Sequence, residues 1–148
     1  MEIIVKTFDS LSLKELHDLL QLRSEVFVVE QDCVYQDIDG KDENALHVMG
    51  FSNGTLAAYT RCFPPGIYFE EAAIGRVVVA KNFRGKNYGH FIMKASLDAI
   101  FDYYQSKTVK LSAQTYLESF YQSHGFEATG AEYLEDGIPH IAMIKKGA

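Results

Sequence analysis

Ala73-Ile74-Gly75-Arg76-Val77-Val78-Val79-Ala80-Lys81-Asn82-Phe83-Arg84-Gly85-Lys86-Asn87-Tyr88-Gly89-His90 decides the fold. Its first eight residues are nearly continuous in hydrophobicity and rich in β-branched side chains. That is the pattern of a strand covered on both faces, so it is expected at the centre of a sheet. A short basic loop follows, and Tyr88, Phe91, Ile92, Ala95, Ala99 and Ile100 then recur at helical spacing. Strand, glycine-bearing loop and helix start together present unpaired backbone N–H groups and the positive end of a helix dipole. Such a turn takes phosphate oxygens. Two nucleotide motifs do not fit: the chain has neither Gly-x-x-x-x-Gly-Lys-Ser/Thr nor Gly-x-Gly-x-x-Gly after its first strand.

Upstream of this stretch, Ile3, Val5 and Phe8 read as a first strand, and Ser12-Leu13-Lys14-Glu15 as a capping box opening a helix. Leu13, Leu16, Leu19, Leu20, Val26 and Phe27 continue at helical spacing. Glu30 to Asn44 loses periodicity and gathers acids, which predicts a loop with room for one helical turn. His47–Ser52 and Thr55–Phe63 flank Asn53-Gly54, the pair a two-residue type I′ hairpin demands. Downstream come a strand at Val109–Gln114, a short helix from about Tyr116 to His124 closed by Gly125, and two strands around Glu135-Asp136-Gly137. The expected order is β-α-β-β-β-α-β-α-β-β in one domain, residues 1–148.

Composition narrows the function classes. The 148 residues are 47% hydrophobic, enough for a core, and the net charge of −6 disfavours nucleic acid as the main partner. No stretch reads as a signal peptide or membrane span, which makes a cytoplasmic protein the default and a membrane partner unexpected. Cys33 and Cys62 lie far apart without ligand spacing and read as reduced thiols. Asp37-Ile38-Asp39-Gly40-Lys41-Asp42 is not a calcium loop, because Lys41 and Asp42 stand where an oxygen ligand and a glycine are needed. No metal or prosthetic group is implied.

Arg84-Gly85-Lys86-Asn87-Tyr88-Gly89 resembles the Arg/Gln-x-x-Gly-x-Gly/Ala pyrophosphate loop of GNAT acetyltransferases. Phe120-Tyr121-Gln122-Ser123-His124-Gly125-Phe126 resembles their second signature, in the right order and on the right element. Leu20–Arg23, Val28–Gln31, Tyr35–Gly40, Ile74–Val77 and Glu135–His140 look like the ElaA-type branch in particular. The resemblance covers nearly the whole chain. It implies the GNAT acyl-CoA N-acyltransferase fold, an α/β (α+β) architecture with a mixed, mostly antiparallel twisted sheet flanked by helices. Asn87 departs from the pattern, standing where a loop glycine is usual, and Asn is among the residues that best tolerate left-handed backbone. Gln114 and Leu117 replace the usual Asn and Ala.

The resemblance further implies acetyl-CoA as co-substrate. The main chain of Val77, Val78 and Val79 would pair with the pantetheine arm, and Arg84, Gly85, Lys86, Asn87, Tyr88, Gly89 and His90 would hold the pyrophosphate, with Gln114 beside the arm. Transfer would be a direct attack by an unprotonated amine in a ternary complex, with Tyr121 donating a proton to the leaving thiolate. The competing reading of Tyr121 is an amphipathic core residue. By residue type, Glu30, His47 and His140 are candidates for the base.

On the acceptor side, Gln31, Asp37, Asp39, Arg61 and Arg76 are candidates. The acidic loop would favour a cationic amine unless it is merely solvated, whereas Arg61 and Arg76 would favour a carboxylate-bearing amine. The acceptor is thus a small-molecule or peptide amine, and homodimers are common in the resembled family. Two alternatives stay open: a non-catalytic acyl-CoA-binding regulatory protein, and a plain interaction domain.

Overall fold

The computed structural model describes residues 1–147. Strand β1 (Glu2–Thr7) ends one residue before Phe8, which starts a 3-10 turn instead of extending the strand. Helix α1 (Leu13–Arg23) opens on the expected capping box: Ser12 accepts from the Glu15 amide at 3.0 Å, and the Glu15 carboxylate accepts from the Ser12 amide at 2.8 Å. The helix then widens into π turns over Ser24–Glu30, where Gln31 N bonds Val26 O and Cys33 N bonds Val28 O, each five residues back.

After the acidic loop, whose single helical turn is Asp42–Asn44, come β2 (Leu46–Ser52), β3 (Thr55–Phe63) and β4 (Ala72–Val79). The β2–β3 hairpin turns on Asn53 and Gly54 with φ of 50° and 80°, the type I′ geometry. The remaining elements are α2 (Tyr88–Tyr104), β5 (Val109–Gln114), α3 (Glu118–Gln122) preceded by a 3-10 turn, β6 (Glu127–Glu135) and β7 (Ile138–Lys145).

The sheet runs β1-β2-β3-β4-β5-β7-β6, antiparallel except for β4–β5, so β4 is fourth of seven. Both of its faces are covered. On one side Val78 packs with Leu19, Leu22 and Val26 of the α1 segment; on the other, Ile74 packs with Ile92, Met93 and Ile100 of α2. That two-sided burial is why the strand lacks polar alternation.

Two irregularities open the sheet where function needs space. Tyr59 pairs with Val78 and Arg61 with Gly75, so Thr60 alone faces Arg76 and Val77. This is a β-bulge, and Arg76 sits in it at φ 52°. In addition, β4 and β5 pair only at Ala72–Val109 and Ala73–Lys110 and then part. Beyond that fork the sheet is split into a cleft.

Candidate active site

The cleft has a volume of about 700 Å³, within the range of ligand sites. Val77, Val78 and Val79 form one lip, Ser112 and Gln114 the other, and Arg84, Gly85 and Gly89 close one end. At that end Gly85 has φ 82° and Asn87 φ 63°, so asparagine supplies the left-handed turn that precedes α2. The first helix amide with a backbone acceptor is that of Phe91, bonded to Asn87 O, which leaves the amides of Tyr88, Gly89 and His90 free. Gly89 packs against Phe120: a Cβ there would lie 3.4 Å from that ring, at van der Waals contact.

The other loop side chains turn away from the cavity. Lys86 lies over the Phe83 ring, Tyr88 bonds Ser52 Oγ at 3.1 Å, and His90 Nδ1 meets His124 Nε2 at 2.9 Å. Arg84 is engaged from the opposite wall, where Glu30 takes its two terminal nitrogens at 2.5 and 2.9 Å. The Arg84 guanidinium holds the Glu30 carboxyl below the usual range, which makes Glu30 a poor proton acceptor. Farther along, Gln114 Nε2 donates to Gln31 Oε1 at 3.3 Å and Cys33 Sγ to Asp136 O at 3.4 Å. Residues 30–33 therefore strap the cleft from one lip to the other.

Tyr121 lines the cleft and is 5% exposed, its ring packed edge-on to Phe120 and Phe126. Burial pushes its phenol well above the ordinary value, so the proton stays on near neutrality. No hydrogen bond joins its hydroxyl to the described residues, nor is the oxygen sealed from solvent.

His140 stands on the opposite lip, paired in register with Gln114. Its Nδ1 lies 2.7 Å from Ile138 O. A carbonyl only accepts, so Nδ1 carries the hydrogen and Nε2 presents a lone pair in the neutral ring. Glu135 Oε2 is 3.4 Å from that Nε2, and Tyr133 stacks on the imidazole while its hydroxyl meets Ser112 Oγ. Glu135, Tyr133 and Ser112 were not among the candidate site residues read from the sequence. The signal was nonetheless present, because a two-residue turn at Asp136-Gly137 places Tyr133 directly across from His140.

His47 is elsewhere. Fully buried between β2 and the acidic loop, it has Nδ1 at 2.6 Å from Tyr59 Oη and Nε2 at 2.9 Å from Asp42 O, with both nitrogens occupied. Burial lowers its proton affinity, and it does not line the cleft.

The acidic loop needs correction too. Asp37 and Asp39 do not line the cavity; with Asp42 they neutralise three arginines. Arg23 Nε meets Asp37 at 3.0 Å and its Nη1 meets Asp42 at 2.8 Å. Arg61 grips Asp39 at 2.6 and 2.8 Å and Asp42 at 3.0 Å. Arg76 Nε lies 2.7 Å from Asp37 Oδ1, though not aligned for a hydrogen bond, and its Nη2 donates to Asp37 O at 3.0 Å. Burial opposes the ionisation of Asp39, but the Arg61 guanidinium outweighs it and holds the carboxyl far below the usual range. These three carboxylates are matched internally, so they offer no attracting field, and Arg61 and Arg76 offer no free two-nitrogen fork. Arg23, not among the candidate site residues read from the sequence, is the hub, and α1 spacing alone gave no sign of it.

A forked sheet with a bulge in its central strand, free amides at a helix start and a buried phenol in the fork define an acyl-CoA-dependent transferase fold. Residues 11–146 match the acetyltransferase (GNAT) domain, and the chain belongs to that family. It is similar to protein ElaA of Escherichia coli (strain K12), 44% identical over 92% of this chain and 90% of that one. Among solved structures it is similar to an acyl-CoA N-acyltransferase from Pseudomonas aeruginosa, with a TM-score of 0.91 and 43% identity over 98% of this chain and 99% of that chain. The crystal structure of Escherichia coli ElaA also aligns with a TM-score of 0.91, at 41% identity, over 98% and 99% of the two chains. No helix among the described residues is long and apolar enough to cross a membrane.

Proposed function

We propose that this protein transfers an acetyl group from acetyl-CoA to an amine by direct attack in a ternary complex. The observation that carries the reading is the pair of proton-handling groups in one cleft: the unpartnered Tyr121 hydroxyl and the lone pair of His140 Nε2. The amides at the start of α2 and the Arg84 guanidinium hold the pyrophosphate, and the parted edge of β4 at Val77–Val79 receives the pantetheine arm. Gln31 and Gln114 lie beside that arm.

His140 Nε2 takes a proton from the acceptor ammonium, and Glu135 stabilises the imidazolium so formed. As the nitrogen bonds to the thioester carbonyl, main-chain N–H groups of the bulged stretch of β4 stabilise the developing oxyanion. The carbon–sulfur bond breaks, Tyr121 passes its proton to the sulfur, and the second proton that the nitrogen sheds on becoming an amide returns to the Tyr121 oxygen. A cytoplasmic setting belongs to the same reading, supported by two free thiols, Cys33 and Cys62. So does a homodimer, for which the edge strand β6, exposed along its length with Leu134 72% exposed, is the available surface.

The test is release of CoA thiol from acetyl-CoA with an amine panel, beside calorimetric titration of the parent and Arg84→Glu. Binding that weakens in the variant, with acceptor-dependent thiol release, is the expected result. Binding without release for any amine would convert the reading to an acyl-CoA-responsive regulatory protein, and no binding would refute both.

A further inference from the structure

Resting on the acyl-transfer reading, we infer that the acceptor is an aromatic or bulky apolar primary amine lacking a carboxylate beside its nitrogen. The cofactor loop closes one end of the cleft, so the acceptor must occupy the other, between the start of β4 and the β6–β7 turn. That end is walled by Tyr35, Phe63, Tyr68 and Phe69. Phe63 and Tyr68 stack with centroids 5.3 Å apart, and Phe69 meets Tyr68 edge-on at 4.8 Å. Protein cations already lie over these rings, Arg61 over Phe63, Lys41 over Tyr68 and Lys110 over Phe69. What remains for a ligand is apolar area and ring edges, which suit an aryl or alkyl group better than a second cation.

Charge discriminates further. A carboxylate entering this end would need a free cation. Of the described cations, Arg61 and Arg76 line it; both are ion-paired with Asp37, Asp39 and Asp42, which leaves Arg76 Nη1 as a single unpartnered nitrogen rather than a two-nitrogen fork, and Lys41 and Lys110, over the Tyr68 and Phe69 rings, do not line the cavity. The one Arg61 donor without a partner, Nε, is sealed from solvent and out of a ligand's reach. The lining groups without a full counter-charge are instead the carboxylates of Glu135 and Asp136, set beside His140. They favour an ammonium arriving at His140 and repel a carboxylate attached next to it. The strap at Gln31 and Cys33 roofs the space, so the apolar group must fit within it.

The experiment compares matched pairs in the thiol-release assay with acetyl-CoA: phenethylamine against phenylalanine, tyramine against tyrosine, and butylamine and spermidine as apolar-poor and polycationic references. Each aromatic amine is expected to exceed its amino acid in kcat/KM by about a hundred-fold, and to exceed butylamine and spermidine by about ten-fold. Tyr68→Ala, at a partly exposed wall position, should raise KM for the aromatic amines several-fold while leaving acetyl-CoA affinity unchanged by calorimetry. Turnover with amino acids at equal efficiency, or with spermidine above the aromatic amines, overturns the inference and leaves acyl transfer standing. Absence of thiol release with every acceptor overturns both together.

Discussion

Replacing Tyr121 by Phe isolates one oxygen. The ring keeps its edge contacts with Phe120 and Phe126, at centroid distances of 5.1 and 6.1 Å, and the lost hydroxyl bonds no described residue. The fold should therefore barely notice, with a Tm change under about 2 °C. Catalysis should notice. A positioned general acid contributes about 10²- to 10⁴-fold. A thiolate whose conjugate acid titrates near 8.5, as an ordinary cysteine does, is already a fair leaving group, which places the loss near the lower end. The expectation is a kcat reduced about a hundred-fold, or ~2.7 kcal/mol of transition-state stabilisation, with acetyl-CoA affinity unchanged. Stopped-time thiol assays at saturating acetyl-CoA measure it, and calorimetry checks the binding. An unaltered kcat would refute the acid assignment and return Tyr121 to the role of a core residue. A fall matched by weakened cofactor binding would refute the argument that the hydroxyl acts only at the leaving sulfur.

Other consequences follow from the charges. Asp42→Ala leaves Arg23 and Arg61 buried with a partner missing, so it should cost about 3–5 kcal/mol and lower Tm by roughly 10 °C, read by calorimetric melting. Glu30→Gln frees the Arg84 guanidinium for phosphate; because the pair is partly exposed and solvent-screened, acetyl-CoA affinity should rise no more than about five-fold, measured by titration. Asp39 and Asp42 titrate below their unfolded value near 3.9, so the stability they add is complete above that pH. It is lost as pH falls from about 4 through the depressed folded values, and Asp39→Asn should flatten the Tm profile there. His47 is likewise held neutral below its unfolded value near 6.5; its stabilisation is complete above that pH and fades as pH falls. Removing it in His47→Gln should reduce the Tm slope just below pH 6.5 without abolishing thiol release.

Local rules settled a large part of this protein from its sequence. Unbroken apolar content marked β4 as central because a strand buried on both faces has no reason to alternate. Asn53-Gly54 set a hairpin because only such residues accept its positive φ angles, and Ser12 with Glu15 set a helix start because their hydrogen bonds span three residues. The phosphate-binding turn was legible for the same reason: Gly85, Asn87 and the start of α2 are neighbours along the chain. Which charges are free was not legible. Asp37, Asp39 and Asp42 read as an acid-rich surface until Arg23, Arg61 and Arg76, up to 39 positions away, fold against them. His47 and His140 are alike as letters, each on a strand. Packing alone encloses one between Tyr59 and Asp42 and sets the other on the cleft with its Nε2 beside Glu135. Turns and caps depend on backbone angles that a few adjacent residues control; the partner of a charge or an imidazole depends on how distant segments meet, and only the tertiary structure decides that.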